Sequence, residues 1–190
     1  MTFIEYYIIA YCALILIGRV ITQKQRRSEK VSIQAGQIFK DPTAIIMVIG
    51  AIIAFICPLA EASIRENLDF KWFSFVLGVV MIAMGWLIIY YANKTIADNW
   101  SPSIDKTEDQ KLITEGIYSI VRHPLYFSGI IILIGTNIYF QNKWSWIAAL
   151  MAFVITLYRI PLEESQLETR FGQEYEAYKQ TTKMIIPWIL

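Results

Sequence analysis

The sequence predicts an all-α, polytopic membrane protein with about five transmembrane helices and a C-terminal amphipathic helix in the cytosol. Its 190 residues are 56% hydrophobic, and the mean hydropathy is +0.44; both values are too high for an ordinary soluble domain. The apolar residues also gather in long runs, near the ~20 residues that cross the ~30 Å hydrocarbon core of a bilayer. These observations favour one integral membrane domain over residues 1–190.

Five apolar runs are the predicted membrane spans. They cover residues 3–22, 43–60, 72–92, 125–141 and 144–158. The first run lacks the small-residue cleavage site of a signal peptide, so we expect it to be retained. The third contains Gly78 and Gly85, small residues that allow neighbouring helices to approach closely. Because only Asn142 and Lys143 separate the last two runs, these are expected to form a helical hairpin.

The basic residues predict how the chain is oriented in the membrane. With five crossings, only Arg65, Lys71 and Lys143 fall on one side, which leaves 14 of the 17 basic residues on the other. Cytoplasmic loops of membrane proteins carry the excess of lysine and arginine. The N-terminus is therefore expected outside, and the C-terminus and the longer polar stretches are expected in the cytosol.

Two polar stretches on the predicted cytosolic side, residues 93–124 and 161–190, hold most of the residues that can do chemistry. The second stretch spaces apolar side chains among many charges, the pattern of a helix lying on the membrane or against the bundle. Gly172 is expected to break this helix into two pieces.

Several classes of function are disfavoured by the sequence. A net charge of +1 provides no basic face for nucleic acid. Cys12 and Cys57 both lie inside apolar runs and imply no disulfide framework or metal site. The sequence has no Walker loop, no GxGxxG after a strand and no HExxH, so the familiar nucleotide and metal sites are not expected.

Two motifs carry a resemblance to a known family. "LITEGIYSIVRHPLYFSG" is followed, after one helical hairpin, by "YRIPLEESQLETRFGQEYEAY". Together and in this order they resemble the isoprenylcysteine carboxyl methyltransferases, within the wider group that includes membrane phospholipid methyltransferases. The resemblance covers roughly residues 99–183 and implies a single membrane methyltransferase that uses S-adenosylmethionine.

The resemblance also implies which residues form the site. In the family, the RHPxY stretch and the segment before it wrap S-adenosylmethionine. An arginine at the end of the last membrane helix meets the substrate, and a glutamate four residues further on lines the cofactor site. The corresponding cofactor positions here are Gln110, Lys111, Leu112, Ile113, Tyr118, His123, Pro124, Leu125, Tyr126 and Glu163, with Arg159 for the substrate. Gln110 departs from the histidine that the family often has at this position, but its amide can still form hydrogen bonds.

These residue types suit methyl transfer to a carboxylate. A carboxylate is already ionised at neutral pH, so the reaction needs positioning more than it needs a strong base. Arg159 offers a planar fork that can hold the carboxylate, and Glu163 can accept from the cofactor's amino group or lie near its positive sulfur. We therefore take Arg159 and Glu163 as the catalytic pair and His123 as a wall of the cofactor pocket. The expected acceptor is a C-terminal S-isoprenylcysteine, or another lipid-like carboxylate, entering from the bilayer.

Each motif also has an ordinary structural interpretation. Arg122 and Arg159 are compatible with anchors at the membrane interface. Pro161 followed by two glutamates is typical of a helix start. His123 could cap a turn before Pro124, and the tyrosines near it could belong to an aromatic belt.

Other functions stay open on the sequence alone. The methyl acceptor could be another small lipid, an isoprenoid acid or a thiol. A membrane reductase that uses a nicotinamide cofactor, or a non-catalytic membrane scaffold, are alternatives of different classes.

Overall fold

The computed structural model describes residues 3–27, 52–53, 56–64, 71–98, 111–141, 143 and 145–187. Regular structure in these residues is helical, and the described part of the chain contains no strand beyond an isolated bridge between Val121 and Lys183. The all-α prediction is therefore confirmed for the described residues.

Five α-helices and one short 3₁₀ helix make up most of the described fold. They are α1 (Phe3–Arg27), α2 (Trp72–Asp98), the 3₁₀ helix (Gly116–Ser119), α3 (Pro124–Phe140), α4 (Ser145–Phe171) and α5 (Gln173–Thr181). Residues 56–63 are also helical. Two helices, α2 and α4, are long and apolar enough to cross a membrane, and α1 and α3 contain shorter apolar stretches. Most of the predicted span 43–60 lies outside the described residues, and five crossings stay a prediction.

Helices α2 and α3 pack with their backbones close together. A Cβ atom on Gly78 would lie 2.8 Å from the carbonyl oxygen of Gly135, and one on Gly135 would lie 2.8 Å from the Cβ of Met81. A Cβ on Gly85 would lie 2.4 Å from the side chain of Ile132. The prediction that Gly78 and Gly85 allow close helix packing is confirmed, because no larger residue fits at either position.

An aromatic cluster joins α1 to this pair. The hydroxyl of Tyr11 lies 3.0 Å from the hydroxyl of Thr136 on α3, and the Tyr11 ring packs edge-on against Phe140 at 4.8 Å between ring centroids. Tyr11, Phe140 and Tyr139 are almost completely buried. The first helix is therefore fixed against the C-terminal part of α3 by both packing and a hydrogen bond.

Two helices run further than the predicted spans. Helix α2 continues to Asp98, beyond the predicted end at residue 92, because Ala92 and Asn93 are buried and Thr95 packs against the 3₁₀ helix. The position of a Cβ on Gly116 lies 2.7 Å from the Thr95 hydroxyl, and Gly116 has φ of 58°. Both the close approach and the positive φ require glycine there.

Helix α4 passes through Pro161 and ends at Phe171, beyond the predicted end at residue 158. The interpretation of Pro161 as a helix start is therefore wrong. The residues after it, mainly leucine, glutamate and glutamine, are good helix formers and carry the helix past the proline. The predicted break at Gly172 is confirmed, since this residue has φ of 53° and separates α4 from α5.

At one end of the bundle, a carboxylate connects two parts of the described chain. Glu61 accepts hydrogen bonds from the backbone N–H of Lys143 at 3.0 Å and of Ser145 at 3.3 Å, and from the Ser145 hydroxyl at 3.0 Å. A negative charge at a helix N-terminus is favourable. Glu61 therefore ties the helical stretch at residues 56–63 to the start of α4.

The opposite end is closed by residues 182–187, called here the C-terminal segment. The backbone N–H of Arg122 donates to the carbonyl of Lys183 at 2.8 Å, and that of His123 donates to Met184 at 3.0 Å. Ile185 in this segment is fully buried. The C-terminal segment therefore lies directly against the residues that lead into α3.

Candidate active site

The lone histidine of the chain stands at the start of α3. His123 occupies the N-cap position with Pro124 as the first helical residue, and its side chain makes no capping hydrogen bond. Its Nε2 atom lies 3.3 Å from Oε1 of Glu164, and its Nδ1 atom lies 4.0 Å from Oε2 of Glu163. The interpretation of His123 as a turn cap holds for its backbone only, because its ring faces two carboxylates on α4.

Three of the predicted side chains meet between α3 and α4. Arg159 Nε donates to Glu163 Oε1 at 2.9 Å and to the Tyr126 hydroxyl at 3.0 Å. The Tyr126 hydroxyl donates to the same Glu163 oxygen at 2.6 Å. The four-residue spacing places Arg159 and Glu163 on one side of α4, and the side chain of Arg159 is only 15% exposed. The interpretation of Arg159 as an anchor at the membrane interface is therefore not supported, because its side chain is largely buried against Tyr126 and Glu163.

A second ion pair lies beside this group. Arg122 Nε donates to Glu164 Oε1 at 2.8 Å, and both side chains are 9% exposed. Arg122 also donates to the backbone carbonyls of Lys179, at 3.3 Å, and Thr182. The guanidinium of Arg122 therefore joins α4, α5 and the C-terminal segment.

Sequence reasoning missed this role of Arg122 and Glu164. It took Arg122 as a possible interface anchor and Glu164 as part of a helix start. Each residue is the direct neighbour of a predicted site residue, His123 or Glu163. Their pairing joins positions 42 residues apart, which no local spacing in the sequence reveals.

Helix α5 adds two further contacts at this end. The Tyr178 hydroxyl donates to the carbonyl of Tyr118 at 2.6 Å, and burial raises the pKa of Tyr178 above its usual range. Lys179 Nζ lies 2.5 Å from Glu168 and 3.4 Å from Glu164, and the hydrogen bond with Glu168 is the main cause that raises the pKa of Lys179. Tyr178 thus stays a hydrogen-bond donor and Lys179 stays cationic at neutral pH.

A cavity of about 650 Å³ lies between α3 and α4. Its polar end is formed by Tyr118, Arg122, His123, Tyr126 and Glu163. Its apolar part is lined by Gly129, Ile130, Leu133, Ala152, Ile155 and Thr156, among others. The volume is in the range of small-molecule sites, and the arrangement brings a polar compartment into direct continuity with a hydrocarbon-like one.

Most of the predicted site residues contribute to this cavity. Those that line it are Tyr118, His123, Pro124, Leu125, Tyr126 and Glu163. Arg159 is attached to it through its hydrogen bonds to Tyr126 and Glu163. Lys111 is exposed and Leu112 and Ile113 are half-buried, and none of the three is part of the lining. Gln110 lies outside the described residues.

The apolar wall was not singled out from the sequence, although a signal for it exists. Leu125, Gly129, Ile132 and Leu133 recur at spacings of three and four residues, and so follow one face of α3. The overall apolar character of α3 hid this face, because nearly every residue of the helix is hydrophobic. In the described part of the chain, no group of three or more His, Cys, Asp or Glu side chains is arranged to hold a metal ion.

Comparison with known proteins identifies the family. Residues 73–174 match the family model described as phospholipid methyltransferase. A "Probable protein-S-isoprenylcysteine O-methyltransferase" from Oryza sativa subsp. indica is 36% identical over 138 residues, covering 69% of this chain and 70% of the relative. The chain belongs to the isoprenylcysteine carboxyl methyltransferase family.

Other relatives of this methyltransferase carry the same name. "Protein-S-isoprenylcysteine O-methyltransferase B" of Arabidopsis thaliana is 32% identical over 134 residues, covering 69% of this chain and 68% of the relative. The Tribolium castaneum protein is 32% identical over 124 residues, covering 64% of this chain and 44% of the relative. Family membership and two helices of membrane-crossing length make this methyltransferase an integral membrane protein.

Proposed function

We propose that this methyltransferase transfers the methyl group of S-adenosylmethionine to the carboxylate of a C-terminal S-isoprenylcysteine, giving a methyl ester. The names of its relatives support this acceptor. The structural observation that carries the proposal is the cavity between α3 and α4, whose polar end meets Arg159 and Glu163 and whose remainder is apolar. An amphiphilic acceptor with a charged head and a hydrocarbon chain matches such a cavity.

The residues at the polar end fit the methyl donor. Tyr118 and His123 supply ring surfaces and polar atoms, and Glu163 supplies a carboxylate that suits a cationic ligand. S-adenosylmethionine, when bound, supplies a methyl group activated by a positively charged sulfur. Residues 110–113, which the sequence predicts to contact the donor, precede the 3₁₀ helix that carries Tyr118. We assign binding of the methyl donor to Tyr118, His123 and Glu163, together with residues 110–113.

Arg159 is assigned to the acceptor. One carboxylate oxygen of the acceptor attacks the methyl carbon, so that an O–CH₃ bond forms and the S–CH₃ bond breaks with its electron pair left on sulfur. No proton has to move, so the protein's task is to align the two reactants and keep water away. A guanidinium suits this task because it orients a carboxylate without removing its charge. Tyr126 and Glu163 hold that guanidinium in place.

His123 is assigned to the wall of the site and not to acid–base chemistry. Both of its ring nitrogens face carboxylates, and the reaction requires no base. Membership of a methyltransferase family favours this function over the reductase and the scaffold that the sequence left open.

The proposed topology places this site in the cytosol, with the N-terminus outside. Tyr118, Arg122 and Glu163 lie at one end of the helices, whereas Glu61 and the turn at Lys143 lie at the other. This arrangement supports the proposed five crossings, in which residues 61 and 143 share the outer side. The acceptor's lipid chain enters from the bilayer.

The function is tested with membranes that contain the protein. They are given S-adenosylmethionine labelled in its methyl group and N-acetyl-S-farnesylcysteine, and we expect a base-labile methyl ester. Label that appears only in a phospholipid amine, or in a thiol, would contradict the carboxylate acceptor.

Two substitutions test the site itself. Arg159→Ala and Glu163→Ala are each expected to abolish transfer while the protein still inserts into membranes. Glu174→Gln, on an exposed position of α5, is the matched control and should retain activity. Full activity of both alanine variants would show that the site lies elsewhere.

A further inference from the structure

One glycine of α3 differs from the other glycines in the described helices. Gly18, Gly78, Gly85 and Gly135 each have another atom within 2.8 Å of the position of a Cβ, so close packing explains them. At Gly129 no atom lies within 4 Å of that position. Gly129 has no positive φ either. Glycine in a helix interior is less stable than alanine by roughly 0.5–1 kcal/mol, so packing and backbone geometry leave this residue unexplained.

The open space beside Gly129 belongs to the cavity. Gly129 lines it together with Leu125, Tyr126, Ile132 and Leu133, which follow the same face of α3. Each of these neighbours projects a large side chain, and Gly129 is the gap among them. Across the cavity, α4 contributes Ala152, Ile155 and Thr156, which are small or of medium size.

The gap lies next to the reacting groups. Gly129 follows Tyr126 by three residues, or ~4.5 Å along the helix axis. Tyr126 contacts both Arg159 and Glu163. A chain attached to a carboxylate held at Arg159 therefore passes Gly129 as it leaves the polar end for the apolar part of the cavity.

We infer that Gly129 is a specificity-determining residue, whose missing side chain makes room for the branched part of the isoprenyl chain closest to the reacting carboxylate. The inference rests on the proposed function. An isoprenyl chain carries methyl branches and is wider than a straight alkyl chain, so it needs more width near the polar end. Selection by width in an apolar pocket discriminates by roughly 10- to 200-fold.

The test compares acceptors of different width in the purified protein. Gly129→Leu is expected to lower kcat/KM for N-acetyl-S-farnesylcysteine by roughly 10- to 200-fold, mainly through KM. It should lower kcat/KM for the straight-chain N-acetyl-S-dodecylcysteine much less and leave KM for S-adenosylmethionine within twofold. Gly129→Ala should give a smaller change in the same direction, which keeps the test decisive if the leucine variant does not fold.

Met151→Phe is the matched control. It adds bulk to α4 at a position that is 60% exposed and outside the cavity lining, so both acceptors should react as in the wild type. Equal losses for branched and straight acceptors in the Gly129 variants, no loss for either, or a change in the KM of S-adenosylmethionine alone would overturn the inference.

A second measurement separates the inference from the proposed function. N-acetyl-S-farnesylcysteine carrying a photoreactive diazirine on its chain should label α3 or α4 in the wild type and should label Gly129→Leu at least tenfold less. If the wild type methylates no prenylcysteine but shows this labelling difference, the proposed methyl transfer is wrong, whereas the role of Gly129 in making room for the isoprenyl chain is supported. Equal labelling of both proteins, or no labelling of either helix in the wild type, would overturn the inference about Gly129.

Discussion

At the scale of single residues, Tyr126, Arg159 and Glu163 form a closed group in which each side chain contacts both of the others. The Tyr126 hydroxyl donates to Glu163 at 2.6 Å and accepts from Arg159 at 3.0 Å. Both of its partners are ionised, and hydrogen bonds to charged groups are stronger than those between neutral groups. Tyr126 therefore keeps the guanidinium and the carboxylate in a fixed relation.

Removal of this hydroxyl should slow methyl transfer without unfolding the protein. Tyr126→Phe keeps the ring but loses two hydrogen bonds to charged groups, so kcat/KM should fall roughly 10- to 100-fold. Tyr158→Phe, at a position 65% exposed on α4, is the control and should react as the wild type. A Tyr126→Phe enzyme with unchanged kinetics would show that Arg159 and Glu163 are positioned without it.

The pair of Arg122 and Glu164 is expected to matter for stability. Glu164→Gln leaves the buried Arg122 guanidinium without its carboxylate, and loss of one partner of a buried ion pair costs about 3–5 kcal/mol. The free energy of unfolding, measured in detergent by thermal or denaturant unfolding, should fall by about this amount. Glu174→Gln changes an exposed glutamate on α5 and should have no effect. A Glu164→Gln protein as stable as that control would contradict the expectation.

The sequence predicted some of these residues and not others, for a physical reason. The contact between Arg159 and Glu163 could be expected from the sequence, because the two residues lie four positions apart and both belong to one motif. The pairing of Arg122 with Glu164 and of Tyr126 with Glu163 joins different helices, so it depends on packing that the sequence does not display. The prediction for Lys111, Leu112 and Ile113 came from the family motif alone, and these residues lie outside the cavity lining.

At the scale of helices, two glycines of α3 should respond oppositely to the same substitution. Gly135→Ala places a Cβ 2.8 Å from Met81 Cβ and 3.0 Å from the Gly78 carbonyl, so α2 and α3 must separate. We expect a loss of about 1–3 kcal/mol in the free energy of unfolding. Gly129→Ala meets no atom within 4 Å and should raise stability by about 0.5–1 kcal/mol. Equal unfolding midpoints for the two variants would contradict this packing.

The C-terminal segment should protect the start of α3. Ile185 is fully buried, so Ile185→Asp buries a charge and should displace the segment. The amides of Arg122 and His123, which donate to its carbonyls, should then exchange with deuterium roughly tenfold faster or more.

Lys183→Gln is the control for this measurement. Lys183 contacts Arg122 through its backbone carbonyl and is exposed, so the side-chain change should leave exchange at both amides unaltered. If Ile185→Asp also left exchange unaltered, the segment would not be what protects them.

Helix lengths were the part of the fold that sequence predicted least well. The composition identified the apolar cores of α2, α3 and α4, because a long hydrophobic run has few alternatives to a helix. It did not locate the C-terminal ends of α2 and α4, which continue by 6 and 13 residues beyond the predicted limits at residues 92 and 158. Those extensions are polar, and only their packing against the 3₁₀ helix and the C-terminal segment makes them recognisable as parts of the same helices.

At the scale of the whole molecule, the orientation in the membrane can be tested with single cysteines. In a protein with Cys12→Ala and Cys57→Ala, a Lys143→Cys substitution should react with a membrane-impermeant maleimide added to intact cells. A Glu174→Cys substitution should react only after the membrane is permeabilised. Both positions are exposed, so accessibility within the protein does not limit either reaction. The reverse pattern would invert the proposed topology.

The order of synthesis gives the C-terminal segment a consequence for biogenesis. Arg122 binds the carbonyl of Thr182, 60 residues later in the chain, and the segment's backbone also fixes His123. A nascent chain whose ribosome has passed α3 and α4 therefore holds both hydrophobic walls of the cavity in the membrane, yet lacks the piece that fixes its polar end. We expect such a chain to be inserted but inactive until residues 182–187 emerge. The enzyme would then begin to methylate its acceptor only after its own translation has passed that point.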